Sequence, residues 1–112
     1  MLPRTNRLLQ EKDFKRVSRE GRYFRGNQLA LKKARSVLAF SRFAFVISAK
    51  VSKKAVIRNK IRRRLREILR PQLNQVKPGF DVMVLVSPFA KDFDFKELKD
   101  SLNSLLKKAG LC

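Results

Sequence analysis

The segment FDVMVLV, residues 80–86, constrains the fold of this 112-residue chain more than any other stretch. Its apolar run Val82–Val86 is nearly continuous. A strand with one wet face alternates apolar and polar residues, whereas a strand covered on both faces reads as this one does. The strand spans residues 77–88 and is entered through a Pro78-Gly79 turn. Its cover must come from the rest of a short chain. A domain of this size buries roughly two-thirds of the surface its unfolded form exposes, so one core is feasible without staples. With 44% hydrophobic residues, nine of them Phe, the material for that core is present.

Residues 11–21, EKDFKRVSREG, read as a short helix. Asp13 can cap it, Phe14 and Val17 share one face, and Gly21 can end it. Residues 27–33 alternate loosely and suggest a strand. Residues 36–50, SVLAFSRFAFVISAK, are rich in β-branched and aromatic residues and predict one or two strands, with a turn near Ser41-Arg42. Residues 53–70 carry the strongest helix pattern in the chain, stopped by Pro71. Residues 92–110 form a closing amphipathic helix, with Phe95, Leu98, Leu102, Leu105 and Leu106 at helical spacing and Gly110 just past its end. The order helix, strands, helix, strand, helix predicts a single α+β domain over residues 1–112, with residues 1–9 as an irregular basic arm.

Charge points to the partner. Twenty-eight Lys and Arg against nine Asp and Glu give a net charge of +19 and a pI near 11.4. A domain this basic expects a polyanion, of which nucleic acid is the commonest. The single cysteine, Cys112, cannot form an internal disulfide and has no companions at metal-ligand spacing. The first residues, MLPRTNRLLQEKDF, are broken by charges every few positions and do not read as a signal peptide. No apolar run approaches the roughly 20 residues that span a bilayer. A soluble, intracellular protein is expected.

The densest charge lies in RNKIRRRLRE, residues 58–67. On a wheel of 100° per residue, Ile57, Leu65 and Ile68 fall within about 40° of Ile61 and form a stripe toward the core. Asn59, Arg62, Arg63, Arg66 and Arg70 fall on the far side, spread over roughly 100°. Lys60 and Glu67 share a flank, and Glu67 can brace Arg63 and Arg64 through pairs worth a few tenths of a kcal/mol each. A helix charged only for solubility would mix signs, because like charges four apart, such as Arg58–Arg62 and Arg62–Arg66, are unfavourable. The face is therefore an anion-binding one, and its arginine content favours phosphate, which a guanidinium grips bidentately. Two roles are open to Asn59: reading a base edge or a sugar 2′-hydroxyl, or capping a helix that begins there.

At this point the sequence resembles a family. KKAVIRNKIRRRLREILR is similar to the signature helix of the protein subunit of bacterial ribonuclease P, matched by Arg58, Asn59, Arg62, Arg63, Arg66 and Glu67, with Lys60 where Arg is usual. NRLLQEKDFKRVSREG resembles the opening of that family, FDVMVLVSP the strand after the signature helix, and ELKDSLNSLLKKAG its closing helix. The resemblance implies a small mixed sheet of about four strands packed with three helices, with a left-handed βαβ crossover against the usual rule. It implies that the chain does not cut RNA itself. A catalytic RNA performs the magnesium-dependent hydrolysis that frees the mature 5′ end of tRNA, holding the metal ions mainly itself. The protein, cytoplasmic and with neither DNA nor a membrane as partner, binds that RNA and holds the 5′ leader of precursor tRNA in a cleft between the sheet and the first helix. Arg58, Asn59, Lys60, Arg62, Arg63, Arg66 and Arg70 would face RNA from the signature helix. Phe14 matches an aromatic of the leader cleft, though it suits a core position equally, and Lys50 matches a family lysine near the leader. Lys53 and Lys54, in the connection to the helix, can hold phosphate or be simply solvated. Ser18 stands where the family often has a second aromatic, and residues 34–42 are more apolar than the polar turn expected there.

Two other classes are weighed against this one. An autonomous enzyme lacks support: there is no histidine, and Asp92 and Asp94 of DFDF read as the acidic start of a helix. The four glycines, 21, 26, 79 and 110, are scattered and form no phosphate loop. A generic basic RNA-binding module, such as a ribosomal protein, shares the charge and the basic helix but would leave tRNA end maturation unchanged.

Overall fold

The computed structural model describes residues 10–26, 28–88 and 94–112. The elements are α1 (Glu11–Glu20), β1 (Arg22–Arg25), β2 (Leu29–Arg35), β3 (Arg42–Val46), α2 (Ala55–Leu69), a 3-10 turn (Arg70–Gln75), β4 (Phe80–Val86) and α3 (Phe95–Lys108). The four strands form one mixed sheet in the order β1-β2-β4-β3. β2 pairs antiparallel with both β1 and β4, and β3 runs parallel to β4 through the α2 crossover.

The apolar run that demanded cover on two faces receives it. Val82, Val84 and Val86 of β4 join Leu29, Leu31, Phe43 and Phe45 in a core shared with Ile61, Leu65 and Ile68 of α2 and Leu98, Leu102, Leu105 and Leu106 of α3. Met83 points the other way, into a smaller cluster with Val17 of α1, Ala34 and Ala44, flanked by Phe14, Val46 and Leu85. The period-two alternation of a strand thus sends successive residues of β4 into two separate cores. α2 and α3 cover one face of the sheet, and α1 covers part of the other.

A buried polar centre fixes α1 to its face. Asp81 of β4 is fully buried. The parallel register places Arg42 of β3 opposite it. Arg42 grips that carboxylate bidentately, Nε donating to Oδ1 at 2.8 Å and Nη2 to Oδ2 at 2.7 Å. Arg16 of α1 donates Nη2 to the same Oδ2, and its Nη1 donates to the Arg35 carbonyl at 2.8 Å. Asp13 completes the cluster, 3.4 Å from Arg42 Nη1 and 3.9 Å from Arg16 Nη2. The hydrogen bond to Asp81 raises the Arg42 pKa further above its ordinary value, against the effect of burial.

This cluster corrects the expectation that Asp13 caps α1: the N-cap is Gln10, without a side-chain cap, and Asp13 lies inside the helix. Gly21 does end α1, but at an extended φ of −68°. Its reason is steric, because a Cβ there would stand 2.3 Å from the Val17 carbonyl oxygen. Residues 36–50 yield one strand, β3, and the turn near Ser41 is a tie point: the buried Ser41 hydroxyl donates to the Lys77 carbonyl at 2.6 Å and accepts from the Phe80 amide at 3.1 Å. β1 had no counterpart among the predicted elements, and the strand expected at 27–33 lies at Leu29–Arg35. Pro71 ends the α-helix without ending helical backbone, since it opens the 3-10 turn, where its missing N–H costs nothing. Phe95, expected in the core stripe of α3, is 41% exposed.

α3 is well terminated at both ends. Asp94 and Glu97 form a reciprocal capping box, Asp94 Oδ1 accepting from the Glu97 amide at 2.8 Å. At the other end Gly110 adopts φ +73°, Leu111 N–H bonds the Leu106 carbonyl, and Gly110 N–H bonds the Lys107 carbonyl. This is the Schellman pattern, with Leu106 and Leu111 both fully buried. Lys33 adds a tie from the sheet: Nζ donates to the Ala109 carbonyl at 2.5 Å and lies over the Phe24 and Phe80 rings. Burial, aided by Arg22, Lys77 and Arg35, lowers its pKa from the ordinary value. Asp92 and residues 1–9 lie outside the described residues.

Two stability measurements follow from this packing. Asp81→Asn leaves two guanidiniums facing a neutral amide in a dry site. It should lower stability by about 3–5 kcal/mol in urea unfolding, the cost of breaking a buried pair from one side. Gly110→Ala forces a side chain into the left-handed region and should cost about 1–2 kcal/mol in the same assay.

Candidate nucleic-acid interface

The signature segment folds as the wheel requires. Ile61, Leu65, Ile68 and Leu69 of α2 are buried and Ile57 is partly buried, so the opposite side of the helix is presented to solvent. Asn59, Lys60, Arg63 and Arg70 are exposed there, and Arg62 and Arg66 are half-exposed. Glu67 braces Arg63, Nε to Oε1 at 4.0 Å. Such an exposed pair is worth little, and most of the positive charge on this face is not balanced by it.

Asn59 is not a cap. α2 begins at Ala55 with Lys54 as its N-cap, which places Asn59 in the second turn. Its Oδ1 accepts a hydrogen bond from Arg62 Nη1 at 2.7 Å, one turn onward. The pair turns the asparagine amide into a brace for one arginine and leaves its NH₂ group as a donor on the cationic face.

The start of α2 is unusual in its electrostatics. Its first turn contains no acidic residue, and the N-cap position is held by a lysine that makes no side-chain cap. An Asp, Asn or Ser there would be worth about 1 kcal/mol more. The positive end of the helix dipole therefore adds to the charges of Lys53 and Lys54, both exposed. Lys50 is exposed in the turn that follows β3, ahead of these two. The three lysines lie on one short connection, and the arginine face begins where it ends.

Arg58 behaves differently from its neighbours. It is half-buried, and its Nη1 donates to the Ser52 carbonyl at 2.8 Å. Sequence reasoning placed it among the residues facing RNA and missed this backbone contact.

On the face of the sheet that α1 leaves partly open, Phe14, Val46 and Leu85 are half-buried around Val17, Ala44 and Met83. Phe14 thus packs against the small core cluster, as its core reading requires, and remains partly exposed. Leu85 also lines a shallow cavity of about 290 Å³ together with Tyr23, Arg25, Gln28 and Ala30. Tyr23 is 53% exposed and pairs in register with Lys32, whose Nζ donates to the Ser18 carbonyl at 3.0 Å. An aromatic is therefore present on this side of the sheet although Ser18 supplies none. Tyr23 was missed because β1 was missed; its signal is RYFR, an aromatic pair bracketed by Gly21 and Gly26.

Comparison with known proteins bears on what this surface is for. The Ribonuclease P family model matches residues 2–110. The ribonuclease P protein component of Pseudanabaena sp. is 42% identical over 110 residues, covering 97% of this chain and 95% of that protein. That of Clostridioides difficile is 30% identical over 109 residues, 96% of this chain and 95% of that one. Among solved structures, a Staphylococcus aureus RNase P protein superposes with a TM-score of 0.88 at 26% identity, covering 95% of this chain and 96% of that chain. The RNase P protein from Thermotoga maritima gives a TM-score of 0.83 at 28% identity, covering 91% and 96%. With the fold and nearly the full length in common, the chain belongs to the ribonuclease P protein family.

Proposed function

We propose that this chain is the protein cofactor of ribonuclease P, which assists a catalytic RNA in removing the 5′ leader of precursor tRNA. The observation that carries the reading is the one-sided cationic face of α2, held rigid by a buried stripe and continuous with the lysines of the β3–α2 connection. The partner is the ribonuclease P RNA, whose phosphates Lys60, Arg62, Arg63, Arg66 and Arg70 meet, with Asn59 reading a base edge or a 2′-hydroxyl. A generic RNA-binding module is not favoured, because the family match spans the chain.

The chemistry belongs to the RNA. Among the described residues no group of three or more His, Cys, Asp or Glu side chains could hold a metal ion. Magnesium ions in the assembled enzyme are held mainly by RNA phosphates. The protein acts through electrostatics and shape. Its net charge of +19 offsets repulsion between the two RNAs, and counterion release favours their association. The leader runs along the groove beside α1, its bases against Phe14 and Tyr23 and its phosphates against Lys50, Lys53 and Lys54. A base stacked on an aromatic side chain is worth about 1–3 kcal/mol, enough to fix a single strand in place.

The reading is tested by single-turnover cleavage of a precursor tRNA by the matching catalytic RNA at low magnesium. The combination should cleave at the mature 5′ end much faster than RNA alone, and protein alone should not cleave. An unchanged rate on adding protein that still binds RNA would leave only a generic binding module. The salt dependence gives a second measurement. Leader affinity should fall linearly on a log–log plot, with a slope near −0.7 for each single-stranded phosphate contacted. Arg62→Ala and Arg63→Ala should weaken binding to the catalytic RNA and flatten its salt slope while leaving the melting temperature unchanged, because neither side chain enters the core.

A further inference from the structure

Arg58 lies on the wheel about 60° from the core-facing Ile61 and about 40° from Arg62, at the edge of the outward arc that runs from Arg62 to Arg63. Side chains in the first turns of a helix lean back toward its N-terminus. Arg58 accordingly reaches back over the segment that precedes α2, where Nη1 meets the Ser52 carbonyl at 2.8 Å. Among the described residues no carboxylate pairs with it.

That segment, residues 48–54, contains neither Gly nor Pro, so its shape is set by hydrogen bonds and one anchor. Val51 is the anchor, 1% exposed in the main core, with its amide bonded to the Ser48 carbonyl at 3.0 Å. The Ser48 hydroxyl accepts from the Lys50 amide at 3.3 Å, and the Ser52 hydroxyl accepts from the Lys54 amide at 3.2 Å. These bonds shape each half locally. The backbone joins α2 through the Ile57 and Arg58 amides, which donate to the Lys54 carbonyl, and the Arg58 side chain adds a second tie at the Ser52 carbonyl, just ahead of Lys53 and Lys54.

We propose that Arg58 is a positioning residue, which clamps the Ser52 carbonyl so that Lys53 and Lys54 are pre-set to grip the phosphates of the precursor leader. The proposal rests on the leader-binding reading above and deepens it: the first arginine of the signature acts through the lysines rather than as one more phosphate contact. A guanidinium suits the task because it stays charged and presents its donors in a fixed plane. Pre-setting matters because each long side chain ordered on binding opposes the affinity its contact supplies.

The test uses the reconstituted holoenzyme and two substrates, one precursor tRNA with its 5′ leader and the same tRNA without it. Arg58→Ala should reduce the leader-dependent gain in affinity about fivefold, the worth of one net hydrogen bond. Against a K53A/K54A background the same substitution should have no further effect, as expected when two changes disable one unit. In the free protein, hydrogen exchange at the Lys54 amide, which donates to the Ser52 hydroxyl, should quicken in R58A and return toward wild type in R58K, whose ammonium can still donate to the Ser52 carbonyl. An R58A loss that persists undiminished in the double-lysine background would overturn the proposal and make Arg58 a direct RNA contact. Unchanged exchange at the Lys54 amide in R58A would overturn it too, by showing that the clamp holds nothing. If wild-type holoenzyme fails to distinguish the two substrates, the leader-binding reading itself falls and the positioning role with it. Melting curves of R58A and R58K separate these outcomes from a failure to fold.

Discussion

Everything on the α1 side of the sheet depends on the Asp81 carboxylate. It is a charge with no access to water, in a position that the alternation of β4 directs away from the main core. Alone it would be prohibitively costly, and two guanidiniums from different elements make it tolerable. Arg42 reaches it along the sheet and Arg16 reaches it from the helix. Because the arginines are bound to a single point, the axial position of α1 is set more narrowly than the few apolar contacts of Val17 and Phe14 would set it. The groove beside that helix inherits this definition. A buried ionic centre of this kind is weak support for stability but a strong means of fixing register.

The rest of the molecule separates charge from cohesion. Twenty buried apolar residues in the main cluster supply the cohesion. They are drawn from β2, β3, β4, both large helices and the connections between them, so no basic residue on the outer face of α2 need contribute to it. That division lets α2 carry an almost unbalanced cationic surface, capped by a lysine and without the acidic first turn that an isolated helix would prefer. Local preference and global fold disagree at that helix start. Such disagreement is expected where a sequence is shaped for a ligand as well as for itself.

How much of this was legible in the sequence depended on whether the signal was periodic or relational. The stripe Ile57, Ile61, Leu65, Ile68 and the closing leucines of α3 repeat at helical spacing, and the run Val82–Val86 exceeds what a half-wet strand would carry; all three were readable. Short elements were not. The four residues of β1 have no room for a pattern, and they form a strand because β2 offers them an edge. Phe95 kept the helical period but falls outside the packed length of α3, where periodicity alone could not show that the core had ended. Asp13 looked like a cap because its neighbours in sequence suggested one. Of its true partners, Arg16 lies one turn on in the same helix, whereas Arg42 lies on β3 and is brought to it only by the packing of α1 on the sheet, which no local pattern encodes. Asn59 and Arg58 were recognised as important, but their hydrogen bonds to Arg62 and Ser52 require knowing where α2 starts. In the apolar loop at residues 36–40, Val37 is fully exposed and Phe40 partly so.

The position of β4 in the sheet has a consequence for how the molecule comes into being. It is an inner strand, bonded on both sides, yet it is encoded late in the chain. Its partners lie far upstream: Leu29 pairs with Val86 and Arg35 with Phe80. Such non-local pairing requires closing long loops before any contact compensates, and it slows folding. During synthesis, β2 and β3 emerge with no strand between them, and α2 emerges with its apolar stripe uncovered. The nascent protein therefore spends most of its translation as a polycation without a core. Its ordering is deferred to the last third of the chain, when β4 completes the sheet and α3 closes over it.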